Sequence, residues 1–517
     1  MSDATPDQID LSAKGSVVAA GTALSRVTGL VRDIFLSAFL GATAAADAFH
    51  LAFRIPNFFR RLLAEGAFAQ AFVPVLSEYR EKGTLASAQQ FVRVMSGNFA
   101  GFLVVVCGLG SSGAALLVLL FTLGAWQSDM RFELATDLAQ IMFPYLGFMA
   151  LTAFAASVLN SYDRYAVPAF TPVLLNVVLV LSVLAAPLHP EPIFMLAWGV
   201  LAAGFAQLLL QFPSLFRTRF LVVPRVDFKH AGVRKVLLLL GPAVLAASAS
   251  QINVLVGTIL ASQLVVGSVS WIYFAERFLA LPIGTVAIAL RTVILPSLSR
   301  IYQSNSINDF SSTLDWGTRL GLLLGLPAAV GLYFLAEPII ATIYHRGVFE
   351  AADIWMSAAA VRAYSVGVLP MVLILIAAPG FFARQNTKTP LKYALISVAA
   401  NVCACLGLFW WLGHVGIAFG TSVASILQCY LLYRRLLGDG VYRPSRALFR
   451  AAVACLAGSA VMALTLVQLS PDAALWASLD EMERILRLAC LVGVGLMVYL
   501  LVLFMLGVRP RHVLHRV

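Results

Sequence analysis

The chain has 517 residues, 60% of them hydrophobic and 12% charged, and its mean hydropathy is +0.88. Soluble domains are about 25% charged, so an ordinary globular enzyme and a disordered chain are both excluded. The net charge of +11 would suggest nucleic acid in a soluble protein, but in so apolar a chain it fits cytoplasmic loops beside anionic lipid.

The apolar residues fall in blocks long enough for membrane helices of about 20 residues. In chain order they predict fourteen helices, at 16–40, 46–78, 91–123, 133–159, 167–187, 192–216, 236–263, 266–299, 312–345, 352–382, 389–412, 414–437, 447–469 and 484–508. The expected fold class is therefore an all-α polytopic membrane protein. The first fifteen residues are polar and acidic, without a basic signal region, so the first block is expected to be a retained helix. It carries Arg26, Arg32 and Asp33. The second carries Asp47, Arg54, Asn57, Arg60, Arg61 and Glu65, with Pro56 expected to break or kink it. The eighth carries Glu276, Arg277 and Arg291. All six cysteines lie in apolar blocks and read as small packing residues. Gly321 and Gly325 read as a close helix contact, and His50, His189, His230, His345 and His414 as packing residues, mostly at helix ends.

An even helix count puts both termini on one side. The connections on that side are basic: Arg217 to Lys235, Arg384 to Lys392, Arg434 to Arg450 and the tail. The opposite ones, such as GATAAAD and VVGS, are nearly free of cations, so the positive-inside rule places both termini in the cytoplasm.

Local motifs recur at a fixed offset. Pro74 and Pro296, in similar Val-Pro and Leu-Pro contexts, are 222 residues apart (296 − 74), as are Pro168 and Pro390 (390 − 168). Six helices per copy give parallel repeats, a transporter architecture with its site expected near mid-membrane at the repeat interface. The implied organisation is an N-lobe (1–216), a basic amphipathic linker (217–235) suited to the membrane surface, a C-lobe (236–437) and two extra helices (438–517).

An arginine at a helix centre costs about 2.5–3.5 kcal/mol on insertion scales. The arginines must therefore face a wet cavity or paired partners. Asp33, Glu65 and Glu276 are expected to form supporting ion pairs, for example Arg32 with Asp33. The arginines outnumber these acids, so Arg26, Arg32, Arg60 and Arg277 are expected to meet an anionic substrate. A guanidinium fork suits phosphate oxygens, which makes diphosphate a natural guest. Arg61 reads equally as a snorkelling edge residue. The motifs GxxxxGK[ST], HExxH, CxxC and GxSxG are absent, so no enzyme, metal site or cofactor is expected.

Three stretches resemble the MurJ (MviN) lipid II flippase family of the MOP exporter superfamily. They are Ser25-Arg26-Val27-Thr28-Gly29-Leu30-Val31-Arg32-Asp33, Arg54-Ile55-Pro56-Asn57-Phe58-Phe59-Arg60-Arg61, and Gly267-Ser268-Val269-Ser270 with Ala275-Glu276-Arg277. Ala378-Pro379-Gly380-Phe381-Phe382-Ala383-Arg384 resembles the family's tenth-to-eleventh junction. The resemblance implies movement of undecaprenyl-diphosphate-linked peptidoglycan precursor from the inner to the outer leaflet of the bacterial cytoplasmic membrane. It implies functional roles for Arg26, Arg32, Asp47, Arg60, Ser270 and Arg277, with Arg54 and Asn57 completing the substrate-binding set. It also implies a lipid-tail groove on the last two helices. Ala280 stands where some relatives carry an acid, and 241–262 contains none, so a sodium site is not expected. The expected mechanism is alternating access, reset by the membrane potential or an ion, with lipid II, membrane lipids and cell-wall synthesis enzymes as partners. A flippase for another polyprenyl-diphosphate oligosaccharide and a non-transporting cell-wall scaffold are the competing readings.

Overall fold

The computed structural model describes residues 6–63, 67–304, 306–470 and 473–508, and among these it is helical with no strand. Two compact units divide the chain, Met1–Gln263 and Leu264–Val517.

The first unit holds α1 (Pro6–Leu40), α2 (Ala44–Leu63), α3 (Ala67–Lys82), α4 (Leu85–Ser112), α5 (Ala114–Thr122), α6 (Met130–Met142), α7 (Tyr145–Ser161), α8 (Ala166–Ala185), α9 (Pro192–Arg217) and α10 (Ala231–Ser262). The second holds α11 (Ser268–Pro282), a π-helical turn (Ile283–Ala287), α12 (Ile288–Gln303), α13 (Ile307–Phe334), α14 (Ala336–Tyr344), α15 (Ala351–Phe382), α16 (Lys388–Leu412), α17 (His414–Gly438), α18 (Arg446–Leu469), α19 (Ala473–Ser478) and α20 (Glu481–Met505).

Eleven helices, counting joined segments as one, are long and apolar enough to cross a membrane. The fourteen expected from sequence include three outside that set: α1, the α2–α3 stretch, and α10, in which Gln251–Ser262 is a shorter apolar helix among the described residues. In α1 and α2 the charges themselves dilute the apolar window. Several expected single helices are broken. Gly113 separates α4 from α5, and Leu335 separates α13 from α14. Pro56 does not end α2, which continues through it to Leu63. Capping side chains set the starts: the Thr84 side chain accepts the Ser87 amide, and Ser445 accepts that of Leu448.

The repeat is visible in the element boundaries. Leu85 and Ile307 open equivalent helices, Gly113 and Leu335 break them, and Ala166 and Lys388 open the next equivalent pair. All three pairs share one offset (307 − 85, 335 − 113 and 388 − 166 each give 222). The contact boundary falls one helix later than the repeat-derived start of the C-lobe at 236, because α10 is fastened to the first unit. Arg54 donates to the Thr258 hydroxyl at 2.9 Å, and the Trp126 indole donates to the Ser262 carbonyl at 2.9 Å.

Helices approach closely where small residues face each other, as association without a hydrophobic drive requires. A Cβ on Gly21 of α1 would stand 2.8 Å from the Ala169 carbonyl oxygen of α8, and one on Gly321 would stand 2.5 Å from Ile376. The Gly321 contact fits the close packing expected of that pair. The six cysteines are free thiols. Phe68, Phe72, Phe91, Phe99 and Phe154 form the aromatic centre of the first unit. In the second unit α18 and α20 pack on each other and on α13 and α14. There Arg484 donates to the carbonyls of Leu479, Ala341 and His345, and the Tyr499 hydroxyl donates to Leu323.

The linker is held against the first unit. Most of 220–230 has no regular secondary structure and lies along α4. The Arg225 amide donates to the Arg93 carbonyl at 3.0 Å, and the Arg93 guanidinium to the Val223 carbonyl at 3.0 Å. Asn98 exchanges two hydrogen bonds with the Asp227 backbone. This approach needs glycine at 97, where a Cβ would stand 2.2 Å from the Arg225 carbonyl oxygen. Gly97→Ala is expected to push the linker off α4, at a cost of about 1–3 kcal/mol. Trypsin cleavage at Arg219 and Arg225 should then accelerate. Cleavage at the wild-type rate would show that the linker is held elsewhere.

Candidate functional site

In the first unit the expected charges are gathered on α1 and α2. Arg32 and Asp33 are both buried. The Arg32 guanidinium donates twice to one oxygen of Asp33, at 2.7 and 3.0 Å, and once to the Asn176 side-chain oxygen of α8 at 2.9 Å. The Asn176 amide in turn donates to the Ser25 carbonyl and the Thr28 hydroxyl, each at 3.0 Å. The expected Arg32–Asp33 pair is therefore present, and Asn176 orients it. Sequence reasoning passed over Asn176, although it is the one amide in the apolar block Ala166–Ala185. Arg26, one turn and a half before Arg32, is half-buried.

Asp47 is fully buried at the start of α2. Its carboxylate lies 3.6 Å from Arg131 at the start of α6. Arg131 also pairs with Asp129 at 2.6 Å and lies 4.6 Å over the Trp126 ring. Arg131 and Asp129 were not picked out from the sequence. The available signal was Asp129-Met130-Arg131 at a helix start, where Asp129 accepts the Arg131 amide as an N-cap. Further along α2, Arg60 donates to the Asn57 oxygen at 3.0 Å, while the Asn57 amide donates back to the Phe53 carbonyl at 2.7 Å. Arg54, Asn57 and Arg60 are half-buried and Arg61 is exposed. The expected stripe thus runs from a sealed end at Asp47 to an open one at Arg61. Its last member, Glu65, lies outside the described residues. His50 is not at a helix end: it lies inside α2, buried, with its ring edge-to-face on Phe49 at 5.8 Å.

In the second unit Ser270 is fully enclosed near the start of α11. The Arg277 guanidinium lies 4.3 Å over the Tyr273 ring, a contact that sheds water and holds the fork. The Tyr364 hydroxyl is 3.5 Å from Glu276.

Between residues 26 and 61 there are five arginines against two acids, Asp33 and Asp47. Asp33 is committed to Arg32, and Asp47 faces an additional arginine from α6. Over 26–61 the formal charge is therefore +3 (5 − 2), and Arg26, Arg54 and Arg60 are half-buried. A polytopic helical chain built on a parallel six-helix repeat has the architecture of a membrane transporter.

The comparisons with known proteins agree. A family model described as "Lipid II flippase MurJ" matches residues 36–486. A protein of Vibrio cholerae named "Probable lipid II flippase MurJ" is 40% identical over 505 residues, 96% of each chain. A Burkholderia cenocepacia protein named "Lipid II flippase MurJ" is 38% identical, over 86% of this chain and 87% of its own. A solved structure titled "Lipid II flippase MurJ, inward closed conformation" matches with a TM-score of 0.79 at 25% identity, covering 94% of this chain and 97% of its own. A multidrug MATE transporter of the MOP superfamily shares the fold, with a TM-score of 0.64 at 13% identity and coverage of 81% and 95%. The chain belongs to the MurJ lipid II flippase family, a family of transporters and not of enzymes.

Two measurements probe the buried charges. Arg131→Ala leaves Asp47 buried beside a lost cation, and removing one partner of such a pair costs about 3–5 kcal/mol. Unfolding in detergent should show that loss, and a change below about 1 kcal/mol would mean that Asp47 is held mainly by other groups. Hydrogen bonding and charge from Arg131 hold the Asp129 carboxyl below its usual range. A lowered folded pKa adds stability that is present above the ordinary carboxylate range and disappears as pH falls below it. Asp129→Asn should therefore lower the melting temperature at pH 7 and make little difference near pH ~3. Equal melting differences at both pH values would contradict the Arg131 contact.

Proposed function

We propose that this chain is a lipid II flippase. It moves the undecaprenyl-diphosphate-linked precursor of peptidoglycan from the inner to the outer leaflet of the bacterial cytoplasmic membrane. The observation that carries this reading is the cationic stretch of α1 and α2, in which Arg32 is oriented by Asp33 and Asn176. A pre-oriented guanidinium presents its donors to phosphate oxygens with little ordering cost on binding. Half-buried Arg26, Arg54 and Arg60 add positive charge where a diphosphate can displace water.

In this reading the diphosphate neutralises Arg26, Arg32 and Arg60 while they are open to the cytoplasm, and Arg277 of the second unit serves the same transport cycle. Alternating access then exposes the same groups to the opposite side. The sugar–peptide headgroup crosses in a wet environment, and the polyprenyl tail stays in lipid along α18 and α20. Neutralising the arginines lowers the cost of moving them. Returning the unloaded, cationic protein is then favoured by the membrane potential, at about 2.3 kcal/mol per charge per 100 mV. Both termini face the cytoplasm, supported by the Lys and Arg bias of the connections. Enzymes that polymerise the precursor are the natural partners at the outer face.

Arg277→Ala and Arg60→Ala, in cells that depend on this protein, are expected to leave lipid-linked precursor on the inner leaflet at normal protein abundance. Leaflet-specific labelling of the precursor reads this out. Unchanged sidedness and growth in both variants would favour the scaffold reading.

A further inference from the structure

The docked linker creates a feature that lipid II transport does not use. Between it and α4 lies a groove of about 530 Å³. Gln89, Gln90 and Arg93 line one wall, and Val222, Val223 and Arg225 the other. Asp227 also lines it, and its carboxylate accepts the Lys229 amide. Arg93 and Arg225 are exposed, as are Arg217, Arg219 and Lys229 nearby. Beside these cations the linker presents large apolar side chains: Val223 is 73% exposed, Val226 58% and Phe228 62%.

That combination is unsuited to bulk water. Apolar area exposed to water is unfavourable, and these residues belong to no membrane-crossing helix. Basic groups beside exposed aliphatic and aromatic ones mark a segment seated at the boundary of headgroups and acyl chains. A free phosphate would satisfy the arginines but not the apolar residues.

We propose that the groove between α4 and the 220–228 linker binds the headgroup of an anionic phospholipid. Arg93 and Arg225 take the phosphate, Gln90 offers hydrogen bonds to the rest of the headgroup, and Val223, Val226 and Phe228 enter the lipid. The amide of Arg225 and the guanidinium of Arg93 also hold the linker to α4. A lipid that binds only the docked linker stabilises that docking by mass action. The anionic lipid content of the membrane thereby sets how firmly the connection between the two sequence repeats is held.

The test uses the purified full-length protein and titrates phosphatidylglycerol or phosphatidylcholine while counting retained lipid by native mass spectrometry. The wild type should hold one phosphatidylglycerol more tightly than phosphatidylcholine. Each basic residue near an anionic surface contributes about a fivefold change in affinity. Arg225→Gln should therefore weaken that lipid about fivefold, and Arg93→Gln with Arg225→Gln roughly thirtyfold. Arg225→Gln leaves the Arg93–Val223 hydrogen bond intact, so its effect reports headgroup binding rather than loss of the linker. Equal affinity for the two lipids overturns the proposal, as does unchanged phosphatidylglycerol binding in Arg225→Gln. Full displacement of the lipid by an equal concentration of inorganic phosphate also overturns it, in favour of a free-phosphate site. Capture of a protein partner by this face with no lipid preference would do the same.

Discussion

The constraint on which the rest of this structure depends is the cost of placing guanidinium groups inside an apolar helical protein. Every such group must be hydrated, paired or supplied with a ligand. The protein treats its arginines differently according to depth. Arg32 and Arg131 are buried and held in multi-contact networks. Arg26, Arg54 and Arg60 are only half-buried.

The same constraint explains why polar residues on otherwise apolar helices sit where they do. Asn176 stands on α8 opposite Arg32 and links α8 to α1 through Ser25 and Thr28. Thr258 on α10 receives Arg54 and draws that helix onto the first unit. These contacts are local consequences of satisfying one cation each, yet they decide which helices are neighbours. Close packing at Gly21 lets α1 and α8 approach far enough for the Arg32 network to form.

The second unit repeats the helical plan with different chemistry. The 222-residue offset in helix starts and breaks shows one ancestral arrangement used twice. The position of Asn176 falls on Val398 in the second copy (176 + 222), so the Arg32 network has no equivalent there. In its place the second unit offers Arg277 over an aromatic ring. The two copies therefore keep a common helical plan while their charged contacts differ.

Composition and spacing alone determined the membrane class, the approximate helix positions and the repeat. Those features depend on hydropathy and on how few charges an apolar chain tolerates, and both are local properties. The Arg32–Asp33 pair was also legible, because the two residues are adjacent. The partners across helices were not. Asn176 lies 144 residues from Arg32, and Arg131 lies on a different helix from Asp47. No periodicity relates such distant positions. Only tertiary packing decided that Asp47 is sealed against α6, that α10 is fastened to the first unit, and that the linker lies along α4. The reason is that a buried charge takes whichever partner the packed helices bring within reach, and that choice is made in three dimensions.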